Sequence, residues 1–192
     1  MNSFQSFNLS ATIAILLLVP VGLHENFNEY SSTVAYLTQN VEAVVLAAFM
    51  VLFKLKSHLD DHQYFGEIED NKAGAIRYTE FAIGTISWIV FGLAAIDAAE
   101  PKRAAELLIV AFLISTLWVF VHLTQMYQLP RSSEQGSAVK RLSWVLFNIG
   151  YVLALLGFIL SSAEYHWVSL LLLMALLTID IIFSKSFSSG AT

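Results

Sequence analysis

Glu106–Tyr127 reads ELLIVAFLISTLWVFVHLTQMY. Beyond its first residue it holds no Asp, Glu, Lys or Arg, and His122 is its one further titratable imidazole. At about 1.5 Å of rise per residue, a helix of this length crosses a hydrocarbon core of about 30 Å. The apolar residues run continuously instead of alternating, which is a helical pattern and not that of a barrel strand. Lipid offers the backbone no hydrogen-bond partner, so a helix must satisfy its own amides.

Working outward, comparable apolar runs cover Phe7–Leu23, Ser32–Phe53, Tyr78–Ile96, Leu142–Ser161 and Trp167–Phe183. Together with Glu106–Tyr127 they fill most of the 192 residues. The chain is 57% hydrophobic and 13% charged, against about 25% charged residues in soluble domains. A surface this apolar needs lipid as its solvent. The expected fold is therefore all-α: a polytopic bundle of six transmembrane helices forming one domain over residues 1–192. Only the stretch Lys54–Arg77 separates two runs by much, so no soluble module is expected.

Charge predicts the orientation. Lys54, Lys56, Lys72 and Arg77 fall between the second and third runs. Arg131, Lys140 and Arg141 fall between the fourth and fifth, and Lys185 follows the sixth. Lys102 and Arg103 alone fall on the opposite side. The positive-inside rule then places both termini in the cytoplasm of a bacterial-type plasma membrane. No Lys or Arg precedes the first run, so the basic region of a cleavable signal is missing and that run is expected to be retained.

Several function classes are excluded. The chain has no cysteine, so thiol catalysis, disulfides and thiolate metal sites are absent. Its net charge is −5, and no basic patch points to nucleic acid. No phosphate-binding loop, dinucleotide fingerprint or HExxH zinc motif occurs. Gly150 and Gly157 share a helical face, where they would let a neighbouring helix approach closely.

Ionisable residues inside the apolar runs are the candidates for function, because a charge at a helix centre costs roughly 2.5–3.5 kcal/mol on insertion scales. Glu42 lies about midway along the second run and is expected near mid-bilayer, as a proton or cation relay or as a neutral acid bonded to a neighbour. Arg77 and Glu80 stand on one helical face at the start of the third run. The topology puts Glu80, His122, Asn148 and Asp180 at similar depth in the cytoplasmic half, with Arg77 and His58 above them. If they converge, they form a polar pocket open to the cytoplasm. His58 and His62 are one turn apart, and with Asp61 they have the donor types of a metal site. A solvated juxtamembrane turn explains the same spacing.

Arg77-Tyr78-Thr79-Glu80-Phe81-Ala82-Ile83 resembles the Arg-aromatic-x-Glu-aromatic-Ser start of the third helix of heliorhodopsins, a branch of the microbial rhodopsins. Val168-Ser169-Leu170 is loosely similar to part of their sixth helix, and a cytoplasmic N-terminus is shared as well. The resemblance covers a short part of the chain. It implies that Glu80 holds the position of the counterion to a retinal Schiff base. The seventh helix with its deep retinal lysine has no equivalent, since Lys185 sits at the membrane edge near the C-terminus. What the resemblance implies is thus an opsin-like sensor or subunit without covalent retinal.

Three functions follow as expectations. The first is a channel or transporter for protons, a cation or a small solute, built on the buried acids. The second is a ligand- or cofactor-binding sensor or complex subunit. The third is a membrane metalloenzyme, for which no nucleophile–base pair is evident. The sequence requires no cofactor. The expected partners are the lipid bilayer and further copies of the chain or other membrane subunits.

Overall fold

In the computed structural model, residues 3–24, 32–66, 75–126 and 135–188 are described. The side chains of residues 3–5, 61–66, 75–77, 80, 122–126, 135–141 and 185–188 lie outside that description. The described residues are helical, with no strand among them. The helices are α1 (Ser3–His24), α2 (Thr33–Gln39), α3 (Val41–Gly66), α4 (Ala75–Ile96), α5 (Pro101–Met126), α6 (Gln135–Leu160) and α7 (His166–Ser188). A single 3-10 turn, Ala163–Tyr165, leads into α7.

Four of these segments are long and apolar enough to cross a membrane: Ser6–His24, Pro101–Val121, Leu142–Leu160 and Ala163–Ser184. A fifth is formed if α2 and α3 are counted as one bent span. In α4 the apolar stretch is shorter, Phe81–Ile96. The outer faces carry the matching surface. Ile13, Leu17 and Val21 on α1 are exposed at helical spacing, as are Leu113 and Leu117 on α5 and Leu146, Ile149 and Leu153 on α6. Apolar faces both inside and outside define an integral membrane protein rather than a water-soluble bundle.

The long helices close a ring. α1 packs on α3 and α4, α4 on α5, α5 on α6, α6 on α7, and α7 returns to α3, which also touches α5 across the bundle. Between lipid-solvated helices there is little hydrophobic drive, so close backbone approach through small residues does the holding. Ala94, Ala95 and Ala98 of the α4 end meet a start of α5 that is just as small, Ala104, Ala105 and Ala111, all buried. Pro101 opens α5, where its missing N–H costs nothing. Arg103 Nε holds Asp97 at 2.7 Å across the same hairpin. Gly150 and Gly157 do face α7, meeting Leu176 and Ser169.

One expected element is overturned. Residues 32–53 do not form a continuous helix: the chain turns by 92° between α2 and α3. Polar caps cause the break. Ser32 accepts from the Ala35 amide at the start of α2. At its end the Asn40 side-chain amide donates to the Tyr36 carbonyl at 3.1 Å, and Asn40 leaves helical geometry at φ −117°, ψ 38°. Glu42 therefore lies in the first turn of α3, not in mid-helix. The same shift carries α3 well past Phe53, so Lys54 and Lys56 lie within the bundle and not in a loop.

Gly22 is where α1 is pressed hardest against α4, because a Cβ there would meet the backbone oxygens of Ala95 and Ile96. Gly22→Val is expected to lower stability by about 1–3 kcal/mol, since backbone cannot move aside as a side chain can. Gly84→Ala adds a Cβ that meets nothing and is expected to leave stability unchanged or slightly raised. Thermal unfolding of both variants in detergent, followed by circular dichroism, checks the contrast.

Candidate functional site

The extended α3 brings a charged turn into the bundle beside α6 and α7. Lys56 Nζ lies 2.7 Å from Asp180 Oδ2 of α7 and 2.9 Å from Asp60 Oδ2 one turn along α3. The Tyr151 hydroxyl of α6 donates to the same Asp180 oxygen at 2.8 Å. Water scarcely reaches these groups: the side chains of Lys56 and Asp180 are 10% and 3% exposed, and Tyr151 is fully buried. One ammonium thus bridges two carboxylates, and one of those carboxylates is also held by a phenol.

A second cation lies close by in sequence. Lys54 is 1% exposed, and its ammonium stands 4.5 Å from the centre of the Trp88 ring. Cation–π attraction strengthens when the cation is desolvated, as it is here. The described charges on this part of α3 and α7 balance, with Lys54 and Lys56 against Asp60 and Asp180. Balance is what a low-dielectric site requires, because an isolated ion there would lose its hydration without return.

Beside this network lie two small adjoining cavities. One, of about 50 Å³, is bounded by Lys56, Ser57, Asp60, Ser115, Trp118 and Trp144 among others. The other, of about 40 Å³, shares Ser57, Ser115 and Trp118 and reaches Gly84, Ser87 and Trp88. Asn148 Nδ2 donates to Ser115 Oγ at 3.3 Å, and Ser87 Oγ donates to the Ala111 carbonyl at 2.9 Å.

An aromatic layer flanks the network toward the other end of the bundle. Phe53 and Phe112 have ring centroids 4.9 Å apart, and Phe112 and Tyr151 5.1 Å. Phe49 packs edge-on against Tyr151 at 5.5 Å. Beyond that layer is a separate pair: His166 Nδ1 at the start of α7 lies 2.8 Å from Glu42 Oε1. Its ring packs on Phe158. Glu42 also borders an open recess of about 320 Å³ formed by the α2–α3 break, Pro101 and Trp167.

The residues singled out from sequence are distributed as follows. Asp180 lies in the charged network, and Asn148 borders the same region through Ser115, with no bond between the two. Glu42 is at the opposite end, paired with a histidine that sequence reasoning left aside. His58 faces α1, its Nδ1 3.4 Å from the Thr12 hydroxyl. The side chains of Arg77, Glu80, His122, Asp61, His62 and Lys185 lie outside the described residues. Among the described residues no three His, Asp or Glu side chains gather as metal ligands.

Sequence reasoning misses Lys56 and Asp60 because they lie beyond the apolar run that ends at Phe53, and Tyr151 because it is one aromatic among many within its own run. Two signals pointed to them. Lys56 and Asp60 have the i,i+4 spacing of an ion pair on a continuing helix. Tyr151 places a hydroxyl well inside an apolar run, and a buried phenol needs a partner. Neither a protein-family model, nor a curated protein, nor a solved structure matches this chain.

Breaking the desolvated pair from one side is expected to cost about 3–5 kcal/mol, since a buried charge is then left without its counterion. Lys56→Met and Asp180→Leu should therefore be non-additive, with the double variant recovering about 0.5–3 kcal/mol of the summed losses. Glu42, whose side chain is 32% exposed, should lose only about 1 kcal/mol or less as Glu42→Gln. Equilibrium unfolding in mixed micelles measures all four.

Proposed function

We propose that this protein is a membrane transporter or channel, with Asp180 as the charge-bearing group past which a proton, a cation or a small solute moves. The observation that carries the reading is the dry Lys56–Asp180–Tyr151 network within membrane-spanning helices. Ionisable groups in such segments are expensive and mark ion or proton pathways far more often than they serve packing.

The bridging geometry supports an exchangeable site over a fixed clasp. Lys56 contacts Asp60 as well as Asp180. When Asp180 changes its charge or takes a cation, Lys56 keeps a carboxylate partner and is not stranded. A simple ion pair lacks that reserve. The second pair, Glu42–His166, lies on the far side of the aromatic layer, so the two ends carry polar stations with an apolar barrier between them. That arrangement suits alternating exposure rather than an open pore.

In this reading the chain crosses the membrane six times, with α2 lying at the boundary as the entry to α3 and α4 completing the set. Both termini are cytoplasmic, on the side of the Lys56 network. The absence of cysteine makes the topology directly testable. A cysteine replacing Lys102 and one replacing Thr192 are expected to react with a membrane-impermeant maleimide from opposite sides, Lys102→Cys from outside intact cells. Labelling of both from the same side overturns the six-span arrangement.

Transport itself is tested in proteoliposomes under an imposed membrane potential and pH gradient. Wild-type protein is expected to move protons or a monovalent cation above the rate of protein-free vesicles. Asp180→Asn should lose that flux by about a hundredfold, in line with removal of a positioned proton-transfer group. Glu42→Gln should retain more of it. Wild-type flux in Asp180→Asn would remove the site from the pathway.

A further inference from the structure

The two cavities beside the charged network identify what is moved. Resting on the transport reading above, we propose that the translocated species is the proton, carried on water held in the cavities between α3, α4, α5 and α6 and handed to Asp60 and Asp180.

Size is the first argument. A water needs roughly 10–15 Å³ of such space. Cavities of about 50 and 40 Å³ therefore have room for about three to five and about three to four waters. A benzene-sized guest occupies a cavity of about 150 Å³, so organic solutes are too large for either.

Polarity is the second. A buried water needs two to four polar partners. The first cavity offers the Ser57 and Ser115 hydroxyls, Lys56 and the Asp60 carboxylate. The indole N–H of Trp144, which also borders it, is buried and has no hydrogen-bond acceptor among the described residues. A donor in that position is costly unless water accepts from it. Ser87 extends the polar lining into the second cavity. Ser57, Ser115 and Trp118 are common to both, so the waters of one adjoin those of the other.

Charge is the third. A metal cation entering here meets the Lys56 ammonium on the cavity wall and Lys54 against the Trp88 that borders the second cavity. Among the described residues no three carboxylates or imidazoles gather to replace its hydration shell. An anion meets Asp60. A proton needs neither a shell nor a wide path, only donors and acceptors in sequence.

The handover balances. A water in the first cavity gives its excess proton to Asp60 Oδ2, a buried oxygen with no hydrogen-bond donor other than the Lys56 ion pair among the described residues. Lys56 passes one of its own protons to Asp180 Oδ2 and is refilled from Asp60. The net change is one proton moved from α3 to α7, with Lys56 unchanged. Among the described residues, the charged or titratable groups facing Asp180 are Lys56 and Tyr151, with Asp60 behind Lys56.

Gly84 gives the test. It borders the second cavity, and a Cβ built there meets nothing within 4 Å. Gly84→Ala adds a Cβ that meets nothing, and Gly84→Leu extends the side chain from that point at the cavity's edge, so the two form a size series. Full-length wild type and both variants are reconstituted in vesicles loaded with a pH-sensitive dye, with sodium and potassium fluxes followed in parallel. The expected result is proton flux in wild type and Gly84→Ala, its loss to the protein-free level in Gly84→Leu, no sodium or potassium flux, and slower wild-type flux in D₂O. Sodium or potassium flux without proton flux overturns the proton assignment and leaves the transport reading standing. No flux of any ion overturns the proton assignment together with the ion branch of the transport reading, leaving only a small solute as cargo. Undiminished proton flux in a Gly84→Leu variant that keeps the wild-type unfolding temperature overturns the cavity route. The isotope effect does not depend on any variant folding, and its absence in wild type also counts against transfer along water.

Discussion

Two charges without water must neutralise each other, and the inner half of this bundle is organised around that requirement. Lys56 and Asp180 come from helices far apart in sequence and meet at 2.7 Å in a site that solvent scarcely reaches. The contact ties α3 to α7, where the C-terminal helix returns to the bundle and closes the ring. It also ties both to α6, because the Tyr151 hydroxyl must find an acceptor and Asp180 is the one it reaches. A polar junction of this kind holds one register of three helices. Alanine and leucine contacts alone would tolerate several, since lipid tails compete with them on nearly equal terms.

The α2–α3 break is what makes the junction possible. Had residues 32–53 formed one straight helix, Lys56 would stand outside the apolar region and Glu42 within it. The 92° turn at Asn40 ends one helix and starts another, so Glu42 opens α3 and Lys56 lies well inside it. Glu42 moves to a partly exposed first turn, where an acid is favoured by the helix dipole and where His166 meets it. Lys54 and Lys56 move inward, one to an indole face and one to two carboxylates.

This explains which parts were legible in the sequence. Helical class and membrane solvent follow from long apolar runs such as that of α5, because only helices and closed barrels satisfy an unhydrated backbone and a barrel strand would alternate. The packing role of Gly150 and Gly157 was legible too, since helical periodicity alone puts them on one face. The break was harder to see. Thr38-Gln39-Asn40 is a polar interruption that an averaged hydropathy absorbs, although the Thr38 and Asn40 side chains both bond to backbone carbonyls one turn back. Missing it displaced Glu42 and hid Lys56 and Asp60. Asp180 stands out in the sequence as an acid inside an apolar run, but its partners lie on α3 and α6, and long-range pairing leaves no local trace. Tyr151 is the instructive case: its position deep in α6 stated a need for a partner, but not which one.

The two ends of the bundle also differ in how tightly they hold charge, and this bears on direction. Glu42 and His166 form a pair at the rim, with the carboxylate partly in contact with solvent and an open recess beside it. The Lys56 network is enclosed, and its neighbouring cavities are small. Between them stand Phe49, Phe53, Phe112 and Tyr151, whose one side-chain polar group, the Tyr151 hydroxyl, points to Asp180. A charge leaving the network toward Glu42 must cross that aromatic layer, whereas one moving toward Ser57 and Ser115 meets hydroxyls at once. Movement across the layer therefore needs the rings to shift, and Tyr151 belongs both to the layer and to the network. Any change of charge on Asp180 alters the hydrogen bond that holds the Tyr151 ring, so the charge state of Asp180 is mechanically linked to the packing of the aromatic layer.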